Sequence, residues 1–203
     1  MGTLADTAMD RQRRRLLQLG AGLNASALAM ALGAHASVPS TAPPPRPSRD
    51  GRHDFDFYHG RWRVQNRRLR RRLAGNDDWD EFEARDECRP LLDGLGSIDH
   101  YTTAWNGGIT GMALRLYRPQ TRQWWVYWAS DRDGVLEAPL IGGFADGVGV
   151  FTGREAHEGR MLPSRATWSG IGSNHVQWEQ ALSPDDGRSW ETNWVMQMTR
   201  IDT

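Results

Sequence analysis

Beyond His53, hydrophobic and polar residues alternate over short runs and do not recur at the spacing of an amphipathic helix. Ten such runs are rich in aromatic and β-branched residues, and Gly, Pro, Asn or Asp separates them at intervals of about 8–15 residues. This pattern is typical of an all-β domain. The predicted strands are 61–73, 79–90, 97–105, 110–118, 123–130, 140–145, 148–155, 161–169, 174–182 and 190–200.

The first clear hairpin surrounds the turn Pro119-Gln120-Thr121-Arg122. If Arg118 pairs with Gln123, alternation along the two strands decides which side chains share a face, and a shift of one residue would reassign them all. One face then carries Ala113, Arg115, Tyr117, Trp124, Val126 and Trp128. This mixture of aromatic residues with one Arg is typical of a lined cavity.

The second hairpin is predicted at Ser183-Pro184-Asp185-Asp186-Gly187-Arg188-Ser189-Trp190. This run resembles the Asp-box turn of sialidases and other β-propellers, where it is structural. A propeller needs one copy per blade, so a single copy favours a hairpin and argues against a propeller. Pairing of Ser183 with Trp190 would place these residues on one face: Gln177, Glu179, Thr192, Trp194 and Met196.

The first strand opens on Gly60-Arg61-Trp62, and the last ends near Arg200. Gly60 permits backbone angles closed to other residues, and a buried Trp removes about 150–250 Å² from water. The Gly-x-Trp spacing with a terminal Arg resembles the lipocalin, or calycin, superfamily. The resemblance implies that Trp62 plugs one end of a barrel and that Arg200 lies across it. We therefore predict that Gly60, Trp62 and Arg200 close the barrel and have no catalytic role.

The whole region from about His53 is similar to a group of bacterial calycin-like proteins of unknown function. The residues that carry this resemblance are Phe57-x-x-Gly60-x-Trp62, Leu91-Leu92-Asp93-Gly94-Leu95-Gly96, Ala113-Leu114-Arg115-Leu116, Trp178-Glu179-Gln180 and Glu191-x-Asn193-Trp194. The resemblance implies a barrel with an internal cavity and brings no catalytic residue set. We predict a single antiparallel up-and-down β-barrel of 8–10 strands over residues 52–203.

Residues 1–36 are predicted to be a signal peptide, with a charged region around Arg13, an apolar run and the small-x-small sequence Ala34-His35-Ala36. The run 13–18, Arg-Arg-Arg-Leu-Leu-Gln, resembles the twin-arginine signal, which implies export in the folded state. A retained membrane anchor is the alternative, but the apolar run is short and contains polar residues. We expect a periplasmic or secreted protein, without stable membrane insertion after cleavage. Residues 37–51 are a Pro-rich linker.

Composition narrows the function classes. The chain has 25 basic and 25 acidic residues, which gives no indication of a nucleic-acid surface. Its ten Trp residues indicate a heavily aromatic core or cavity. The single Cys88 excludes an internal disulfide and a Cys-based zinc site, and no strong catalytic motif is present. We expect no cofactor and no metal, because the His and Asp residues of 53–59 alternate with aromatic residues that favour a lid packed on the barrel end.

The basic run Arg67-Arg68-Leu69-Arg70-Arg71-Arg72 has two interpretations. It is a charged edge that discourages aggregation, or it is an anion-binding mouth of the barrel. The irregular segment 131–139 is a candidate flap over that mouth.

The leading hypothesis is a binding protein for a small amphipathic or aromatic molecule. The predicted ligand-binding residues are Arg115, Tyr117, Trp128, Glu179 and Trp194. The alternative is an enzyme that performs acid–base chemistry of the isomerase or hydratase type, with Glu179 or His100 as the base. A third interpretation is an envelope interaction module with a filled interior and an exposed apolar patch. A homodimer remains an open possibility.

Overall fold

The computed structural model describes residues 50–201, which form a closed barrel of ten antiparallel strands. Each strand pairs with the next along the chain, and the last pairs with the first, which confirms the predicted up-and-down β-barrel. The strands are β1 (Gly60–Leu69), β2 (Trp79–Leu91), β3 (Gly96–Thr103), β4 (Ile109–Arg118), β5 (Gln123–Ser130), β6 (Leu140–Ala145), β7 (Val148–His157), β8 (Arg160–Ser169), β9 (His175–Leu182) and β10 (Glu191–Arg200).

Short helices are the remaining regular elements of the described part of the chain. They are 3-10 turns at Asp56–Tyr58, Leu92–Gly94 and Trp105–Gly107. None is long or apolar enough to cross a membrane. The predicted signal peptide at 1–36 lies outside the described residues, as does the predicted linker at 37–51 apart from its last two residues.

The aromatic segment before β1 fills the end of the barrel at which β1 begins, which we call the closed end. The ring of Phe55 lies 5.0 Å from the rings of Trp124 and Phe144, edge to face in both cases. Tyr58 stacks on Trp62 at 5.4 Å. These aromatic side chains are buried, so this segment acts as a plug.

Arg200 joins the last strand to the plug and to Trp62. Its guanidinium carbon lies 4.2 Å from the centroid of the Trp62 ring. It donates hydrogen bonds of 2.6 Å each to the carbonyl oxygens of His59 and Phe57. Gly60 has a φ of +115°, and a Cβ added there would lie 2.6 Å from Nη1 of Arg200. Glycine is therefore required both by the backbone angle and by the close approach of the guanidinium.

The first predicted hairpin has the expected register. Arg118 pairs with Gln123, and Arg115 faces Val126 three pairs further along. The predicted sharing of one face by Ala113, Arg115, Tyr117, Trp124, Val126 and Trp128 is confirmed.

The second hairpin forms around the predicted Asp-box turn. The Ser183 hydroxyl accepts the Gly187 N–H at 2.7 Å, and an Asp185 carboxylate oxygen accepts the Ser189 N–H at 2.7 Å. The hydrogen bonds from the Ser189 N–H and hydroxyl, and then that from the Ser183 hydroxyl, hold the pKa of Asp185 well below its ordinary value, at about 2. The run is a structural turn, as expected from its pattern.

The register of this hairpin departs from the prediction at Asn193. Leu182 pairs with Glu191 as expected, but a β-bulge follows, and Trp194 pairs with Gln180. The extra residue reverses the alternation of every later side chain on β10 relative to β9. Trp194 therefore shares its face with Gln180, whereas the prediction had paired its face with Glu179.

Loops alternate between the two ends of an up-and-down barrel, so the loop after β1 and every second loop after it lie at the end opposite the plug. These loops are 70–78, 104–108, 131–139, 158–159 and 183–190. We call this end the mouth. Segment 131–139 is attached there, because the Glu137 N–H donates to the Trp128 carbonyl at 2.8 Å and Arg132 donates to the Asn106 carbonyl at 2.5 Å.

Candidate functional site

The barrel encloses a cavity of about 310 Å³ between the plug and the mouth. This volume lies at the lower end of the range of small-molecule sites, which is about 300–1,000 Å³. Five tryptophans line it: Trp105, Trp128, Trp168, Trp178 and Trp194. The wall also includes other aromatic and sulfur-containing side chains, among them Tyr101 and Met196. Most of its surface is therefore flat, apolar and polarisable.

Asn66 fixes the orientation of two of these aromatic walls. Its side-chain oxygen accepts hydrogen bonds from the Tyr101 hydroxyl at 3.1 Å and from the Trp194 indole N–H at 2.9 Å. Asn66 is only 2 % exposed, so these bonds do not compete with bulk water. Trp178 meets Trp194 edge to face at 5.7 Å, which continues the oriented surface onto β9. These contacts hold the aromatic side chains of this wall in fixed orientations.

A buried ion pair lies where the cavity meets the plug. Arg115, 3 % exposed, donates from Nη2 to Asp99 at 2.6 Å. The other Asp99 oxygen accepts the Ala113 backbone N–H at 2.6 Å. Burial lowers the pKa of Arg115, but the Asp99 carboxylate and the neighbouring Cys88 and Tyr58 outweigh it, so the net direction is upward. The Arg115 guanidinium is a fixed charge whose Nε has no hydrogen-bond partner among residues 50–201.

Asp86 lies beside this pair and also lines the cavity. The Tyr58 hydroxyl donates to its Oδ2, while its buried Oδ1 has no hydrogen-bond partner in the described part of the chain. Burial and then repulsion by Asp99 raise the pKa of Asp86 to about 7. Asp86 is therefore a cavity carboxyl that changes charge near neutral pH and has one buried oxygen without a partner in the described residues.

Arg68 lines the cavity on the side of the mouth. Its guanidinium carbon lies 4.3 Å from the Trp194 ring centroid and 5.5 Å from that of Trp105. Trp105 is stacked in turn on Phe82, with centroids 4.4 Å apart. Burial and then the charge of Arg72 lower the pKa of Arg68 from its ordinary value. Within residues 50–201, Arg68 forms cation–π contacts and neither an ion pair nor a hydrogen bond.

The structure divides the basic run 67–72 between two roles. Most of its arginines pair with acidic residues: Arg67 with Glu81 at 3.2 Å, Arg70 with Asp80 at 2.6 Å, and Arg72 with Glu155. Arg68 points into the cavity because it continues the inward phase of Trp62 and Asn66 along β1. Arg68 thus faces the interior while Arg67 faces outward, and Arg70 and Arg72 lie in the loop after β1. Because the barrel is closed, β1 has no free edge.

Three of the predicted ligand-binding residues lie together around the cavity, namely Arg115, Trp128 and Trp194. Tyr117 lies outside the cavity lining. It packs on the plug, where its hydroxyl accepts the Gly51 N–H at 2.9 Å and its ring lies 5.3 Å from Trp124. Tyr117 therefore holds the segment that enters the closed end.

The two predicted candidate bases do not line the cavity. Glu179 alternates with Trp178 and Gln180, which do line it, and accepts a hydrogen bond of 2.6 Å from Gln177. Its outward position follows from the bulge at Asn193. His100 is exposed on the outer face of β3, next to the buried Asp99, as expected of adjacent residues in a strand.

Sequence reasoning missed Asp86 as a cavity residue, and it did not separate Arg68 from the other arginines of the run that it offered as an anion-binding mouth. The signal for Asp86 was present, because it shares its alternation phase with Ala84 and Cys88 while the intervening residues of β2 are charged and exposed. An ionisable residue in the apolar phase of a strand indicates a buried polar site.

Among residues 50–201, no group of three or more His, Cys, Asp or Glu side chains is placed to hold a metal ion. Near the plug, His53 instead bonds Asp56 at 2.9 Å. Comparison of the chain with protein-family models finds no match, and comparison with curated proteins finds none either.

Proposed function

We propose that the barrel binds one small amphipathic molecule, with an aromatic or apolar body, in its central cavity. We further propose that it does so outside the cytoplasm, after export under the twin-arginine type of signal. The observation that carries the proposal is a preformed cavity of about 310 Å³ with five tryptophan walls and with unpaired polar atoms at its plug end.

The distribution of polarity along the cavity favours an amphipathic ligand. Each 100 Å² of apolar ligand surface moved from water onto the walls contributes about 2.5 kcal/mol before the costs of association. At the plug end, Oδ1 of Asp86 and Nε of Arg115 are buried without hydrogen-bond partners in the described residues, and a polar ligand group there would satisfy them. The third interpretation, an envelope interaction module, predicts a filled interior, whereas the barrel contains a cavity.

Native mass spectrometry and tryptophan fluorescence titration of the purified protein test the proposal. The expected result is one small molecule per chain, and a fluorescence change that saturates at that ratio. Trp128→Ala should weaken binding about tenfold or more, because Trp128 lines the cavity. Trp125→Ala is the matched control, since Trp125 lies on the opposite face of the same strand beneath Arg118. Equal effects of both substitutions, or no binding of any amphipathic compound, would refute it.

A second candidate function is acid–base catalysis on the bound molecule, and Asp86 favours it. Its pKa of about 7 and its free oxygen suit proton transfer at neutral pH. We propose Asp86, in place of Glu179 or His100, as the base of such a reaction. Proton NMR in D₂O would follow exchange of a carbon-bound proton of a saturating ligand. Exchange that disappears in Asp86→Asn while binding persists would support catalysis, and exchange unchanged in that variant would exclude Asp86.

A further inference from the structure

We propose that the ligand carries a single carboxylate, and that Arg68 binds it at the mouth of the cavity. This inference rests on the proposed binding function, because it adds an anionic group at the mouth to the molecule that the cavity receives, in addition to any polar group at the plug end. It concerns the end of the cavity opposite Asp86 and Arg115.

The first reason is that Arg68 lacks an anionic partner although its neighbours have one. Arg67, Arg70 and Arg72 all form ion pairs with acidic side chains. Arg68 is half-buried and forms cation–π contacts but no ion pair or hydrogen bond among residues 50–201, and Glu155 and Glu137 act on its charge only at longer range. Such contacts offset only part of the free-energy cost of removing a guanidinium from water.

The second reason is the way in which the guanidinium is held. Indole rings contact it at 4.3 Å and 5.5 Å from its central carbon, and such contacts use the planar face of the group. The N–H donors lie at the edge of that plane, where they match the two oxygens of a carboxylate. Trp194 is fixed by Asn66, and Trp105 by stacking on Phe82, so the donors are oriented before a ligand arrives.

The third reason concerns the charge of the head group. Glu137 and Glu155 also line the cavity near its mouth, but neither forms an ion pair with Arg68. Glu155 is already bound by Arg72 and by the Gln180 amide. With two carboxylates nearby and one unpaired guanidinium, a monoanion is accommodated and a dianionic phosphate is repelled. A monocarboxylate is therefore the head group that fits.

Matched pairs of compounds test this directly: decanoate against decanol, and 2-naphthoate against 2-naphthamide. Each pair keeps the apolar body and changes the head group alone. We expect the wild-type protein to bind each acid at least about tenfold more tightly than its neutral partner, as measured by tryptophan fluorescence and calorimetry. Arg68→Gln should remove this preference and leave the affinity for decanol and 2-naphthamide within about twofold of wild type.

Arg67→Gln is the control, because Arg67 is adjacent on the same strand, faces outward and is paired with Glu81. It should retain the full preference for the acids. Arg68→Lys, which keeps the charge but loses the planar fork, should retain part of it.

Equal affinities for acid and neutral compound in the wild type would overturn the proposal and leave the binding function standing. Weakening of both members of each pair by Arg68→Gln would also overturn it, since Arg68 would then be a structural residue of the wall. Absence of binding by all four compounds would overturn this proposal together with the proposed function.

Discussion

A Cβ atom added to Gly60 would lie only 2.6 Å from Nη1 of Arg200. The first and last strands of the barrel are therefore in close contact at this position. The guanidinium occupies the space that the glycine leaves. It also donates hydrogen bonds to the carbonyl oxygens of His59 and Phe57 in the plug. One side chain therefore stabilises both the pairing of β1 with β10 and the closed end of the barrel. The Gly-x-Trp spacing is thus explained by a residue at the other end of the sequence.

Gly60→Ala should lower the free energy of unfolding by about 2–4 kcal/mol, through backbone strain at φ +115° and collision with Arg200. Urea denaturation followed by tryptophan fluorescence measures this. Gly75→Ala is the control, because Gly75 also has a positive φ, of +62°, but has nothing within 4 Å of its added Cβ. Its cost should be about 1 kcal/mol. Similar losses at both positions would contradict the close-approach argument.

Asp86 should make stability depend on pH in the direction opposite to that of an ordinary salt-bridged carboxylate. Its pKa is about 7 in the folded protein and about 3.9 in the unfolded chain. Between these values the folded state binds more protons, so the free energy of unfolding falls as pH rises from about 4 to about 7. Below this window the group is protonated in both states, and above it the full destabilisation persists.

Asp86→Asn should therefore be more stable than wild type at pH 8, on the order of a few kcal/mol, and close to wild type near pH 4. Tyr58 can still donate to the amide oxygen, which preserves the packing. Urea midpoints at the two pH values decide the matter, with Glu87→Gln on the exposed face of β2 as control. A variant that is less stable than wild type at pH 8 would show that the carboxylate stabilises the fold.

Trp194→Phe should weaken the binding of decanoate about tenfold, because it removes the hydrogen bond to Asn66 and reduces the aromatic surface beneath Arg68. Glu179→Gln should leave that affinity within about twofold of wild type, since Glu179 does not line the cavity. Fluorescence titration compares the two. A larger loss in Glu179→Gln than in Trp194→Phe would mean that the bulge at Asn193 is not present in solution.

The Cys88 thiol should resist alkylation in the folded protein. It is 3 % exposed, and burial raises its pKa to about 11, so the reactive thiolate is scarce at neutral pH. Iodoacetamide at pH 8 should label it fully in guanidinium chloride and only to a few per cent without denaturant, as read by intact-protein mass spectrometry. Rapid labelling of the native protein would indicate local opening of β2.

The parts of the fold that follow from period-two alternation were predictable, and the face carrying Arg115 and Trp128 is the clearest case. The turn at 119–122 fixed the register there, and no irregularity follows it. Glu179 was misplaced because a single bulge at Asn193 reverses alternation, and a bulged residue has no distinctive signature within a run of polar and aromatic residues.

Arg68 and Asp86 were harder to identify because both lie in strands crowded with charge. On β1 Arg68 follows Arg67 in a run rich in arginine, and on β2 the neighbours of Asp86 are Arg85 and Glu87, so charge alone does not separate the inner face from the outer. The inward direction of each side chain is indicated only by its even spacing from a buried residue of the same strand, which is Trp62 for Arg68 and Cys88 for Asp86. Whether Arg68 forms an ion pair depends on residues that are distant from it in the sequence, so the residues around it do not indicate the answer.

The pairing of β1 with β10 also brings both boundaries of the barrel to the closed end, where the Ile201 N–H donates to the Arg61 carbonyl at 2.8 Å. A short engineered linker should therefore join them, and new termini should be tolerated at the turn of another hairpin. A fusion partner or a solid support attached at either boundary would stand behind the plug. Immobilised copies would then all present their openings to the surrounding solution, which is the arrangement that a capture surface or an optical sensor requires.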